Sequence, residues 1–412
     1  MNLFLITYDY PFGTGETFLE TEIKVLQHYF ERIVVVSTSQ NYELTRDVPN
    51  NVIAVKCDRR FAMLRCGLYA FCKLFSAEFY REFQSIRHIE NRPSIMNMIK
   101  GCIKAWGIEK RLEQKVREMR LDTQNMIAYS YWLSEGAYFL AKHKNMWKKT
   151  VSRAHGYEVR DYEQYLPFRG LIDKEIGEIH FISGFTESSY ERIMNSMRIG
   201  KRRATHYISR LGVEVPNFLD SNAATMVEQE IVVVSCSSIY RLKRLDLIVE
   251  MLEKYSGSTP IRWIHFGWGE MGEEIKNLCE QKLSKKNNVL YELRGWVENA
   301  KVIDFYKHHR VDLFVNTSDS EGIPVSIMEA MSFGIPCMAR NVGGMAEIIV
   351  NHVNGYLLPE KPNVEEMISV LEEITKGEVG LSRKDIYNWC REHYDSEMNY
   401  QLFCESIVKI RK

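Results

Sequence analysis

At 412 residues, with 45% hydrophobic and 26% charged side chains, the chain is too long for one ordinary domain and too apolar for a disordered or fibrous protein, so two globular domains are expected. The 54 Lys and Arg balance 54 Asp and Glu, which argues against nucleic acid or another polyanion as a partner of the whole surface. Nine cysteines, odd in number and without a CxxC pair, suggest neither a zinc site nor a disulfide framework and fit a reducing compartment.

The opening stretch MNLFLITYDYPFGTGE lacks a basic region followed by a long apolar run and cleavage site, so no signal peptide is expected. No uncharged apolar run reaches the roughly 18 residues that span a bilayer, and a cytoplasmic protein is expected. NLFLITYDYPF reads as a buried strand, FGTGE as a glycine-bearing loop, TFLETEIKVLQHYF as a helix and RIVVVSTS (32–39) as a second strand. Strand, helix, strand needs a parallel crossover and so an α/β sheet. Between 58 and 120, 14 Lys or Arg stand against 7 Asp or Glu, a net of +7 by subtraction, among many aromatics. This basic, mostly helical insert reads either as a lid whose apolar side joins the core or as a surface that rests on anionic lipid.

The same rhythm returns at EIVVVSCSS (230–238), followed by RLDLIVEMLEKY, IRWIHFGWG, NVLYELRGWV, VDLFVNTS and the helix PVSIMEAMSF. Continuous apolar strands of this kind are buried on both faces by helices. Two such halves, joined near HYISRLGVEVPNF (206–218), predict two doubly wound domains. The expected spans are 1–212 with the insert near 58–120, 213–385, and a terminal helical stretch over 386–412. Open sheets bind ligands at the carboxyl ends of their strands, so the cleft between the halves is the expected site.

Two motifs compete for it. Gly267, Gly269 and Gly272 form a G-x-G-x-x-G with Glu292 further on, a dinucleotide fingerprint on paper. The motif follows the second strand of its half, however, where a Rossmann pyrophosphate site does not normally lie. It reads as a nicotinamide site or as a turn lining a nucleotide cleft. The other motif is SEGIPVSIMEAMSFGIP (320–336). Pro324 suits a helix start, and the N–H groups of Gly322, Ile323, Val325 and Ser326 then favour an anion such as a diphosphate. Glu321 and Glu329 read as an N-terminal acid and a solvated helix acid, or as acceptors for the hydroxyls of a sugar.

SEGIPVSIMEAMSFGIPCMARNVGGMAEIIVNHVNGYLL resembles the retaining glycosyltransferases of sequence family 4, which have the GT-B architecture of two facing Rossmann-like domains. The resemblance is clearest from Ile231 to Leu358 and thinner through RAHGYEV and YPFGTGETFLETEI. Its most specific parts are the Glu321 to Glu329 spacing, the pair Gly343 and Gly344, and Glu347. The resemblance implies that Glu329 holds the ribose hydroxyls of a sugar nucleotide and Glu321 a hydroxyl of the donor sugar. It implies that Lys243 neutralises the leaving diphosphate together with the amides of Gly322, Ile323 and Val325. His155 is implied at the donor sugar and phosphate, and Gly13, Thr14 and Gly15 on the acceptor side. Gly267 is implied to line the donor cleft, with Trp296 and Val297 near the base, where UDP or GDP is chosen.

The family's arginine five residues before the lysine is Ser238 here. Arg241 or Arg244 then supplies the second charge, or the diphosphate is held with one cation fewer. The implied reaction moves a hexose from a UDP- or GDP-sugar to a lipid-linked or growing polysaccharide acceptor, of exopolysaccharide, capsule or O-antigen type. It proceeds with front-face retention, a donor phosphate oxygen taking the acceptor proton, and with no metal and no cofactor. The basic insert is implied to dock on the anionic inner face of the membrane, and the last helix to cross back onto the first domain. Two rivals are a nicotinamide oxidoreductase using Gly267, Gly269 and Gly272, and a non-catalytic glycan-binding protein of the same fold.

Overall fold

The computed structural model describes residues 1–13, 15–39, 43–57, 69, 71–87, 93–159, 166–197, 204–218, 230–377 and 380–409. The chain folds as two compact units, Met1–Leu211 with Glu397–Lys412, and Gly212–Ser396. The first is built on strands β1 (Asn2–Thr7), β2 (Arg32–Ser37), β3 (Val52–Lys56), β4 (Met126–Ser130), β5 (Lys149–Ala154), β6 (Glu178–Phe181) and β7 (Thr205–Ile208). They form one parallel sheet in the order β3-β2-β1-β4-β5-β6-β7. Successive side chains on a strand face opposite ways. Leu3, Leu5, Ile33 and Val35 accordingly pack into one core layer, and Phe4, Ile6, Val34 and Val36 into another. That two-sided burial makes LFLIT and IVVVS unbroken apolar runs.

The described part of the basic insert is chiefly two helices, Ala77–Ile86 and Ile95–Glu118; residues 58–68, 70 and 88–92 lie outside the described residues. Ser94 caps the longer helix through a hydrogen bond from the Asn97 N–H. Its apolar stripe, Met98, Cys102, Trp106 and Leu112, is fully buried and belongs to the core of the unit rather than to a detachable cover.

The C-terminal stretch is two helices, Arg383–Tyr394 in the second unit and Ser396–Val408, which joins the first unit from Glu397 onward. Phe403, Cys404 and Ile407 of the last helix fill the core beside Leu5 and Tyr129. Lys149 Nζ donates to the carbonyls of Ser406, Ile407 and Lys409 at 3.3, 2.9 and 3.1 Å, placing a cation at the negative end of the helix dipole. Beneath it the fully buried Arg153 pairs with Glu22 at 2.5 Å and lies 4.1 Å from the centre of the Phe403 ring.

The second unit carries β8 (Ile231–Cys236), β9 (Ile261–Phe266), β10 (Val289–Leu293), β11 (Leu313–Asn316), β12 (Cys337–Arg340) and β13 (Gly355–Leu358). Their order, β10-β9-β8-β11-β12-β13, is again all parallel. Strand order reverses between β1 and β4 in the first unit and between β8 and β11 in the second. Ligands of doubly wound sheets sit off the carboxyl ends of the strands at such reversals.

Candidate functional site

In the second unit, β8 and β11 run side by side, so the loops that leave their carboxyl ends meet although they are far apart in sequence. Thr317 Oγ1 donates to the carbonyls of Lys243 and Arg244 at 3.0 and 2.9 Å, and the Asp319 N–H to the Leu242 carbonyl at 2.8 Å. Arg244, with φ +49, turns the chain sharply from the short 3-10 turn Arg241–Lys243 into the helix Leu245–Lys254; a non-glycine residue held left-handed is a feature of strained functional loops. The outcome is Lys243 Nζ at 2.6 Å from Glu321 Oε1. Glu321 is buried, and Asn316 Nδ2 also approaches its Oε1 at 3.4 Å.

The glycine pair that marked this region holds the Glu321 loop from behind. A Cβ on Gly343, at φ +59, would fall 1.7 Å from the Glu321 carbonyl oxygen, and one on Gly344 2.1 Å from that of Gly322. The Gly344 N–H instead donates to Gly322 O at 2.9 Å. Beyond Glu321 the helix Val325–Met331 starts at Pro324. The N–H groups of Gly322, Ile323, Val325 and Ser326 have no acceptor among the described residues, so the amides expected to face an anion are available for one.

Glu329 is not the solvated helix acid that its sequence also allowed. It is buried, and Asn299 Nδ2 donates to its Oε1 at 2.8 Å. Burial pushes its carboxyl up to about 7, against a smaller lowering by Asn299. Val297 is half-buried and Trp296 strongly exposed, in the loop after β10 that leads to the helix Asn299–His308.

The cationic residues near Lys243 differ in their state. Arg244 is engaged by Asp246, with Nε 3.0 Å from Oδ1 and Nη2 2.8 Å from Oδ2, and by Asp319 at 3.4 Å. Arg241 is exposed and has no carboxylate partner among the described residues. Ser238 is exposed in the preceding loop.

The glycines of the G-x-G-x-x-G stretch support that loop. A side chain on Gly267, at φ +132, would meet the Ser237 carbonyl oxygen at 1.9 Å, and one on Gly269 the Ile239 carbonyl oxygen at 2.5 Å. The Ile239 N–H donates to Trp268 O at 3.2 Å, the Met271 N–H to Ile239 O at 3.0 Å, and Gly267 N–H to Gly295 O at 2.8 Å. Three loops are thus laced together off β8, β9 and β10. The motif follows β9, not a strand at the order reversal, and its glycines serve backbone packing, which disfavours the nicotinamide reading.

In the first unit, His155 leaves the end of β5 and is buried, with its ring tilted against those of Trp132 and Tyr131. Gly13 and Gly15 belong to the loop after β1. A Cβ on Gly13 would fall 2.1 Å from Asp9 Oδ2, and the Gly15 N–H donates to that oxygen at 3.2 Å. Thr14 lies outside the described residues. The two loops border a hollow of about 520 Å³ off β1 and β4, lined by Tyr8, Asp9, Gly15, Lys104, Trp132 and Glu135 among others. Tyr8 and Tyr157 show their rings to solvent, and Lys104 pairs with Glu135 at 2.7 Å.

Sequence reasoning missed Asn299, Asn316, Thr317 and Arg340. Arg340 is buried with Nη1 on Thr317 O at 3.0 Å and on Asp319 Oδ1 at 2.5 Å. Asn316, Thr317 and Arg340 hold the loops that carry Lys243 and Glu321, and Asn299 holds the Glu329 carboxylate. A further group, Glu187, Glu191 and His206, is close enough to hold a cation, but stands in the first unit and includes none of the residues named above.

Comparison with known proteins bears on the fold and on the segment that carries these residues. The amylovoran biosynthesis glycosyltransferase AmsK of Erwinia amylovora is 24% identical over 212 residues, covering 49% of this chain and 49% of that protein. An uncharacterized glycosyltransferase of Haemophilus influenzae is 26% identical over 191 residues, or 45% of this chain and 52% of its own length. The match thus spans about half the length of these curated relatives. Among solved structures, the lipopolysaccharide outer core galactosyltransferase WaaB in its apo form superposes with a TM-score of 0.67 at 15% identity, over 99% of both chains. HepE of Anabaena, solved in complex with UDP-glucose, gives 0.65 at 14% identity over 100% of both. These likenesses establish the fold, GT-B, with two doubly wound α/β units. The segment 219–392, which holds Lys243, Glu321 and Glu329, matches the family described as glycosyl transferases group 1.

Proposed function

We propose that the protein is a retaining, metal-independent glycosyltransferase that moves a hexose from a UDP- or GDP-sugar to a lipid-linked or growing polysaccharide acceptor. The observation that carries this reading is the Lys243 and Glu321 contact of 2.6 Å at the strand-order reversal, beside the open amides of Gly322, Ile323, Val325 and Ser326. Departure of a nucleoside diphosphate places negative charge on phosphate oxygens. An ammonium with fixed amides stabilises it where it develops. Glu321, relieved of Lys243 by the diphosphate, accepts from a donor-sugar hydroxyl, and Glu329 accepts from the ribose. Arg241, the cation without a carboxylate partner, supplies the second charge in place of the arginine absent at Ser238; Arg244 remains with Asp246 and Asp319. Val297 and Trp296 flank the base, and Gly267 shapes the loop after β9.

On the first unit, His155 contacts the substrate, and the loop of Gly13, Thr14 and Gly15 with the hollow beside it takes the acceptor. Exposed Tyr8 and Tyr157 offer faces to sugar rings, Asp9 and Glu135 accept from hydroxyls, and Lys104 suits a phosphate of a lipid-linked acceptor. The enzyme works in the cytoplasm at the inner face of the membrane. Supporting this, Phe71, Phe75, Tyr80, Ile95 and Met96 are exposed in the insert near exposed Arg81, Arg87 and Lys100, a pattern suited to anionic headgroups. No helix among the described residues is long and apolar enough to cross a membrane. Sedimentation with phosphatidylglycerol vesicles is expected to exceed that with phosphatidylcholine vesicles and to fall in Phe75→Ser with Tyr80→Ser. Equal binding to both vesicles removes the membrane assignment.

The test of the main reading is a melting screen against UDP, GDP, UDP-glucose, UDP-galactose, UDP-N-acetylglucosamine, GDP-mannose and NADH, followed by turnover of each stabilising sugar nucleotide. A ligand at a hundred times its dissociation constant adds about 2.7 kcal/mol of stability. Stabilisation by one nucleotide family, lost in Glu329→Ala, with transfer that keeps the anomeric configuration, is the expected result. Stabilisation by NADH alone overturns the reading; nucleotide binding with no turnover points to a glycan-binding protein of this fold.

A further inference from the structure

The His155 ring is held at Nδ1 by Glu158 and flanked by Trp132 and Tyr131. Its main-chain N–H donates to Glu158 Oε2 at 2.9 Å, and its Nδ1 stands 3.4 Å from Glu158 Oε1. Glu158, 1% exposed, also accepts from the Leu133 N–H at 3.2 Å, and Arg169 Nη2 donates to its carbonyl at 2.8 Å. The carboxylate therefore ties the loop after β5 to the loop after β4. The ring also meets Trp132 in a tilted contact, 4.4 Å between centroids. Trp132 is itself fixed, its indole N–H donating to Glu16 Oε1 at 2.5 Å. The Glu16 carboxylate also accepts the N–H groups of Tyr8, Asp9 and Tyr10 at 2.8, 2.7 and 2.6 Å.

Nε2 is the exception: it is buried and has no hydrogen-bond partner among the described residues. A buried polar atom left unsatisfied is costly, and a ligand that supplies the missing partner removes that cost. Which kind of partner depends on the tautomer. An ionised carboxylate can only accept, so a Glu158 contact at Nδ1 puts the proton on Nδ1 and leaves Nε2 with the lone pair.

We infer that Glu158 is a positioning residue that holds His155 as the Nδ1–H tautomer, so that the buried, unpartnered Nε2 accepts a hydrogen bond from a substrate hydroxyl instead of donating one to a phosphate. Glu16 keeps Trp132, the ring beside His155, in place. The inference rests on the proposed role of His155 in transfer.

The test combines ring-nitrogen NMR of the full chain labelled with 15N-histidine, assigned through His155→Ala, with turnover of the sugar nucleotide identified in the melting screen. At pH 8 the wild-type His155 is expected to show a protonated Nδ1 and a bare Nε2. Glu158→Gln, whose amide can offer a proton to Nδ1, is expected to shift the ring toward Nε2–H and to lower kcat/KM about tenfold, the loss of one hydrogen bond, with the fold retained by melting. A wild-type ring protonated at Nε2, alone or with Nδ1, overturns the inference, as does Glu158→Gln with an unchanged tautomer or unchanged kcat/KM. Should Glu158→Gln fail to fold, the wild-type spectrum still decides the tautomer. The proposed role of His155 fails separately, and takes the inference with it, if the tautomer is as stated but His155→Ala turns over at the wild-type rate.

Discussion

Lys243→Met is expected to fold and to lose roughly 10²- to 10³-fold in kcat, the range seen when one preorganised stabiliser of developing negative charge is removed, with a much smaller change in donor affinity. Methionine keeps the apolar stem and removes only the ammonium, so the loop laced by Thr317 to the carbonyls of Lys243 and Arg244 stays in place. The substitution also leaves Glu321, 8% exposed, with Asn316 at 3.4 Å as its remaining side-chain partner. Stranding a buried carboxylate destabilises, but Lys243 is 23% exposed and water reaches that end of the pair, so the loss is about 1–2 kcal/mol. Adding Glu321→Gln to Lys243→Met restores the melting temperature without restoring turnover, because the amide carries no unpaired charge and the diphosphate still lacks its cation. Nucleotide release rates and melting curves for the two variants decide the matter: a kcat within tenfold of wild type in Lys243→Met removes the lysine from the reaction.

What could be read from the sequence follows where the physics is local. β1, β2, β8 and β11 are largely runs of apolar residues buried on both faces, and such runs declare themselves. β4 and β5 do not. Their sequences, MIAYS and KTVSRA, hold buried Ser130, Thr150, Ser152 and Arg153, and the partner that lets Arg153 be buried, Glu22, is 131 residues away. The site divides in the same way. Glu321, Gly322, Pro324 and Glu329 share one short stretch around a helix start, and their spacing is visible without a structure. Lys243 meets Glu321 across 78 residues because β8 and β11 are neighbours, an adjacency that belongs to the sheet. Asn299, Thr317 and Arg340 act wholly through such contacts. The glycine motif shows the converse hazard: a pattern that signals pyrophosphate binding on a first strand is, after β9, the condition for two loops to touch.

Donor binding to wild type is expected to weaken about tenfold per pH unit below about 7 and to be flat above it, with proton release on binding in the acidic range. The cause is Glu329. Burial pushes its carboxyl up to about 7, whereas ribose hydroxyls donate to the ionised form. Binding therefore selects the carboxylate, and below that pH a proton must leave first. Calorimetry at pH 6 in two buffers of different ionisation enthalpy measures the proton directly, and Glu329→Gln removes both the proton and the slope. Stability in the absence of donor runs the other way. A carboxyl raised by folding contributes most when protonated in both folded and unfolded chains, below the unfolded value of about 4.3, and that contribution is lost as pH rises through about 7. Wild type is accordingly expected to lose stability relative to Glu329→Gln between pH 5 and pH 8. The two slopes have opposite signs and one origin. Donor affinity that is flat from pH 5.5 to 8 would show that Glu329 is ionised before the nucleotide arrives, and that Asn299, its hydrogen-bond donor at 2.8 Å, together with water, offsets burial more fully than the geometry implies.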